Sequence, residues 1–162
     1  MPKPPIANIS EPRIIVRKRA RTLEVFEGEK KIKKCKMVLG FSPVTRKAVE
    51  GDGATPEGDF YIFTKNEKSS YFLSLGISYP NIDDAKRGLN ANLITRSEYN
   101  DIVAAIGNKM MPPQNTRLGG EIYIHGGGIE GDWTDGCIAV DDADMQEIFD
   151  NATVGMRVTI IP

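Results

Sequence analysis

The chain has 162 residues, enough for one domain with a real core. Hydrophobic residues make up 40% and charged residues 27%, an ordinary globular composition. A net charge of −1 gives no electrostatic case for nucleic acid or an anionic membrane, and no apolar run reaches the length of a transmembrane helix.

Residues 1–12 are Pro-rich, lack an apolar signal core and read as an extended tail. The protein is then either cytoplasmic or starts after a removed signal; Met1 decides neither. Residues 13–162 read as one domain. "RIIVRKR" and "TLEVFEGEKKIKKCKMVLG" read as strands, with a turn at 28–31. Leu23 and Val25 alternate with polar neighbours, and Cys35, Met37 and Leu39 share one face. On this reading Cys35 is a small core residue; the alternative is a thiol whose pKa its lysine neighbours lower. The basic stretches 16–21 and 30–36 read as solvent-facing strand positions.

"GDGATPEGDF" reads as a hairpin turn before the strand "DFYIF", and "FLSLGISYPN" as a strand ending at a Pro-Asn turn. "TRSEYNDIVAAIGNK" is the clear helix. Thr95 and Glu98 fit a capping box, and Tyr99, Ile102, Val103 and Ile106 form one apolar stripe. A shorter helix fits "DDADMQEIFDN", capped by Asp141 or Asp142, with Met145, Ile148 and Phe149 inward. "GMRVTIIP" closes the chain as a strand. The fold class is mainly β with one or two helices.

One segment, "IYIHGGGIEGDWTDGCIAV", holds the only histidine, His125, the only tryptophan, Trp133, and the second cysteine, Cys137. A strand through 122–125 sends Ile122 and Ile124 to one face and Tyr123 and His125 to the other. A thiol attacks as thiolate and needs a base, a role that only His125 can fill among histidines. Gly136 gives a substrate close access to the thiol and frees backbone N–H groups to face an oxyanion. The plain alternative is a structural histidine beside an inert buried thiol. Two cysteines about a hundred residues apart form neither a disulfide framework nor a metal motif, and a single Cys35–Cys137 bridge stays open.

This segment resembles the signature of the L,D-transpeptidase (YkuD-like) catalytic domain: His, a variable loop, Ser or Thr, one residue, then Gly-Cys and an apolar residue. Those positions are His125, Thr134, Asp135, Gly136, Cys137 and Ile138. "KAVEGDGATPEGDFYI" is similar to the family's Gly-Asp-x-x-Thr-Pro-x-Gly-x-Phe segment. "FLSLGISYPNIDDAKRG" is similar to a Tyr-Pro-Asn stretch of its short Gram-negative-type branch.

The resemblance implies a β-sandwich-like catalytic domain that performs acyl transfer on peptidoglycan stem peptides without a metal or organic cofactor. Cys137 would attack the carbonyl at the L-centre of diaminopimelate and expel D-alanine. His125 would be the base, its ring oriented by the Gly126 carbonyl. The N–H groups of Gly136 and Cys137 would serve the oxyanion. Tyr123, Trp133, Thr134 and Asp135 would face the substrate, with Trp133 either lining the groove or pinning the loop.

The sequence departs from the family pattern in three places. A histidine often found before Gly-Cys is Asp135, whose charge would raise the thiol pKa. The arginine common two positions after the cysteine is Ala139. The loop between His125 and Cys137 is short. A substrate carboxylate would then need another cation, for which Arg46, Lys47, Arg87 and Arg117 are the candidates. The resemblance implies an envelope or periplasmic location if a signal was removed; the oligomeric state is not legible. Three other readings compete: a hydrolase on the same scaffold, a catalytically silent cell-wall-binding module, and a redox protein using Cys35 and Cys137.

Overall fold

The computed structural model describes residues 12–162. The expected tail therefore lies outside the described residues except for Pro12, which opens the first strand. Strands β1 (Pro12–Arg17), β2 (Thr22–Glu27) and β3 (Lys30–Lys36) form an antiparallel meander. They continue through β8 (Arg157–Ile161), β4 (Gly58–Ser69), β5 (Phe72–Ile77), β6 (Tyr123–His125) and β7 (Ile138–Ala139) in the order β3-β2-β1-β8-β4-β5-β6-β7. Val38, just after β3, exchanges hydrogen bonds with Ala139 of β7 at 2.9 and 3.0 Å. The two edges of the sheet thus meet and the sheet curls on itself, which satisfies edge groups that would otherwise be exposed.

The strand alternation fixes what points inward. Ile14, Val16, Leu23, Val25, Leu75, Ile77, Val158 and Ile160 are buried in one cluster, joined by Met145, Ile148 and Phe149 of α3 (Asp142–Asn151). Cys35 lies in the same cluster. Both cysteines are free, so the open disulfide pairing is not formed.

The structure has three helices rather than one or two. The addition is α1 (Ile82–Asn90). Asn81, expected to belong to a turn, is its N-cap: its side chain accepts from the Asp84 N–H while Asp84 accepts from the Asn81 N–H. The same reciprocal box, built from Thr95 and Glu98, opens α2 (Arg96–Gly107). Ala85 of α1 and Ile102 of α2 pack with Ile94 and Leu118 into a second, smaller core. This cluster anchors the segment from Pro112 to Gly120 that leads into β6. No helix among the described residues is long and apolar enough to cross a membrane.

Candidate active site

His125 ends β6 and Cys137 immediately precedes β7, and these two short strands are parallel neighbours. Their pairing brings together residues that eleven intervening positions separate. Both side chains line one cleft of about 680 Å³, together with Tyr71, Ser74, Tyr123, Trp133, Thr134 and Asp135.

His125 is only 4% exposed, and its Nδ1 lies 2.6 Å from the carbonyl oxygen of Gly126. A carbonyl only accepts, so Nδ1 carries the proton and Nε2 keeps its lone pair. Burial holds the imidazole below its usual 6.5, against the opposing pull of the Gly126 carbonyl. The ring is therefore neutral at neutral pH and able to take a proton.

The Cys137 thiol donates to the Glu121 carbonyl at 3.3 Å and accepts from the Tyr123 N–H at 3.4 Å. Burial pushes it up to about 11; the Tyr123 N–H pulls the other way, Asp135 and Glu121 add to the rise, and Lys47 offsets a little of it. With the thiol pushed up by burial and the imidazole held below its usual value, the resting pair is thiol plus neutral imidazole rather than an ion pair.

Two segments hold this loop in place. Thr55 Oγ1 donates to the Gly136 carbonyl at 2.7 Å, in a fully buried contact. Gly40, Gly53 and Gly136 approach so closely that a Cβ on Gly40 would fall 2.2 Å from the Gly53 carbonyl oxygen and 2.6 Å from Gly136 N. "GDGATPEGDF" is therefore not a hairpin turn. The strand that follows it, β4, pairs with β5 and β8, while residues 53–55 brace the thiol loop.

The basic stretch 16–21 is also corrected. Lys18 is 2% exposed, and its Nζ donates to the Thr45 carbonyl, the Thr55 carbonyl and Glu57 at 3.0, 2.8 and 3.1 Å. Three acceptors match the three N–H bonds of an ammonium. Arg21 grips Asp132 with two hydrogen bonds, and Asp132 also accepts from the Leu39 N–H. Lys33, in the second basic stretch, reaches Asp144 and Glu147 of α3. These basic residues tie loops and α3 to the meander, a role that alternation alone does not reveal.

The expected site residues divide by contact. The Gly136 N–H, expected to serve an oxyanion, donates to Thr134 Oγ1 at 3.1 Å and is therefore already partnered. Thr134 Oγ1 in turn donates to the Cys137 carbonyl at 2.8 Å, which makes Thr134 a loop fastener as well as a lining residue. Trp133 lines the cleft and also pins the loop through Nε1 to the Gly128 carbonyl at 3.0 Å. Of the four proposed cations, Lys47 alone lines the cleft. Its Nζ is buried and committed to Asp52 and the Val49 carbonyl. Arg46, Arg87 and Arg117 are exposed elsewhere, with Arg87 paired to Asp84. Lys68, which the sequence reading did not single out, stands exposed at the cleft, as do Glu50 and Glu121. Among the described residues no three His, Cys, Asp or Glu side chains converge as a metal site.

Residues 11–160 match the profile of the L,D-transpeptidase catalytic domain (YkuD). No curated protein matches the chain. Among solved structures, it is similar to the helical cell shape determining protein Pgp2 of Campylobacter jejuni (K307A mutant), with a TM-score of 0.65 and 22% identity over 93% of this chain and 47% of that one. It is similar to Bd1075 of Bdellovibrio bacteriovorus (TM-score 0.61, 20% identity, 94% and 48% covered). It is also similar to L,D-transpeptidase 1 of Mycobacterium tuberculosis (TM-score 0.54, 14% identity, 93% and 61% covered). The chain spans about half the length of the first two. At these identities the likeness is one of fold.

Proposed function

Because the chain belongs to the L,D-transpeptidase (YkuD) catalytic-domain family, we propose that it is a cysteine acyltransferase acting on peptidoglycan stem peptides. One observation carries this reading: a thiol and a neutral imidazole with a free Nε2 lone pair open into the same cleft. Nε2 takes the Cys137 proton as sulfur attacks the diaminopimelate carbonyl. The tetrahedral oxyanion collapses to a thioester. The imidazolium returns its proton to the departing D-alanine amine. An amine from a second stem peptide then attacks the thioester, losing its proton to His125, and the thiol is regenerated.

Oxyanion stabilisation falls to N–H groups other than that of Gly136. Tyr123 N–H already touches Sγ, so it stabilises developing thiolate and is within reach of an oxygen on the attacked carbon. The exposed carboxylates of Glu50, Glu121 and Asp135 suit an incoming ammonium. Lys68, exposed at the cleft, is the cation set to meet a substrate carboxylate. A hydrolase would use the same thioester with water as acceptor. Acting on peptidoglycan, the protein would work in the cell envelope.

The test is mass spectrometry after incubation with a carbapenem, a mimic of the acyl donor. A single adduct on Cys137 is expected, and none in Cys137→Ala, whose fold should survive. Activity in that variant above about a tenth of the parent's would sink the assignment, since no neighbouring group replaces thiolate chemistry. Product masses from peptidoglycan fragments then separate cross-linking from hydrolysis.

A further inference from the structure

Tyr71 stacks on His125, with ring centroids 4.7 Å apart and planes 26° from parallel. Trp133 meets both rings at steep angles, 5.1 Å from Tyr71 and 5.5 Å from His125. Tyr71 stands at the tip of the β4–β5 hairpin. There Phe72 takes a φ of +76°, a left-handed backbone that bulky residues rarely adopt. The Tyr71 N–H donates to Ser69 Oγ at 3.1 Å. A Cβ added to Gly126 would come within 3.0 Å of the Tyr71 carbonyl oxygen, so the hairpin tip is seated on the residue that orients the imidazole.

Core burial does not account for this placement. Tyr71 is 48% exposed and belongs to neither core cluster. The single hydrogen bond from Nδ1 to the Gly126 carbonyl fixes one edge of the imidazole but leaves its plane free to tilt. The stack supplies the missing constraint.

We propose that Tyr71 is a positioning residue for His125: its ring covers one face of the imidazole, sets the ring plane and keeps bulk water off it. The proposal rests on the reading of His125 as the base. Charged and titratable groups reach this pocket from several elements. Lys68 comes from the hairpin, Cys137 and Asp135 from the thiol loop, and Glu121 and Tyr123 from the approach to and start of β6. Lys47 and Glu50 line it from the opposite loop, and Asp142 of α3 accepts from the Gly127 N–H nearby. All of these stay unchanged in a Tyr71 series, so a difference within the series belongs to the ring.

The chain has one histidine, so its ring protons give a single unambiguous NMR titration in tag-free protein, independent of turnover. Tyr71→Ala should raise the midpoint toward that of a solvated imidazole by about half a unit or more. The acid limb of carbapenem acylation should move upward with it. Tyr71→Phe and Tyr71→Leu, which keep an apolar cover, should leave the midpoint near the parent's. An unmoved midpoint in Tyr71→Ala overturns the proposal. So does a downward shift, which would make the Tyr face a cation–π partner of the imidazolium. A leucine variant that behaves like alanine, or an alanine variant that fails to fold, overturns it as well. If the titration moves as expected but the parent protein is not acylated, the cover stands and the acyl-transfer reading falls.

Discussion

Lys18→Met removes the ammonium that joins three backbone and side-chain acceptors beneath the thiol loop, while keeping an apolar side chain of similar length. The Thr55 carbonyl belongs to a fully buried residue and loses its ammonium donor while keeping the Lys47 N–H at 3.3 Å; losing a hydrogen bond to a charged group costs about 1.5–3 kcal/mol. Glu57, whose side chain is 15% exposed, loses its counter-ion, and breaking such a pair costs up to about 3–5 kcal/mol when water is excluded, less here because Glu57 is partly wet. Thr45 is exposed and its carbonyl turns to water at little cost. The total is about 3–5 kcal/mol. For a chain of this size that lowers Tm by roughly 8–15 °C. Thermal unfolding followed by circular dichroism measures it directly. The double variant Lys18→Met/Glu57→Gln should recover part of the loss, because no charge is then stranded. Carbapenem acylation, followed well below Tm, should also slow, because the same loop carries the Thr55 hydroxyl that holds Gly136. A fall in Tm of less than about 3 °C would refute the reasoning, since it would mean that Lys18 is dispensable to this loop.

Thr55→Val keeps the side-chain shape but deletes the hydrogen bond to Gly136; stability should fall by about 1–2 kcal/mol, and acylation of Cys137 should slow more than the stability loss explains, as a stopped-flow mass assay would show. Asp135→Asn removes a carboxylate that raises the Cys137 thiol. The pH at which iodoacetamide labels Cys137 half-maximally should therefore move down from about 11, and an unchanged midpoint would remove Asp135 from the electrostatics of the site. His125 has a depressed pKa, so acylation should persist at pH 6.5 and decline below it as the imidazole gains its proton; a limb centred above 6.5 would contradict the burial argument. Cys35→Ser should keep full acylation while losing about 1–2 kcal/mol of stability, because it buries a hydroxyl in the main core. A dead Cys35→Ser variant would revive the redox reading.

The sequence by itself determined the elements whose signal is local. Leu23, Val25 and Cys35 point inward as read, and the stripe in 96–107 buries Ile102 and partly covers Tyr99 and Ile106, because periods of two and 3.6 follow from backbone geometry alone. Helix α1 was missed because its box uses Asp84, a shorter partner than Glu or Gln, and because a strand-like run and a proline precede it. The candidate pair was legible too, since one histidine and one Gly-Cys leave few choices. The tertiary structure decided what surrounds that pair. Alternation could not show Lys18 as buried, because its three acceptors come from loops 27–39 residues away in the chain. Nothing in "KSSYF" marks Tyr71, which meets His125 only because β5 pairs with β6 and carries the hairpin tip over the strand end. The commitment of the Gly136 N–H to Thr134 was equally hidden, since a glycine's freedom permits many directions and only the packed loop selects one. Spacing fixes which groups are near in the chain. Which of them are dry, paired or free to react depends on long-range contacts that fold around them.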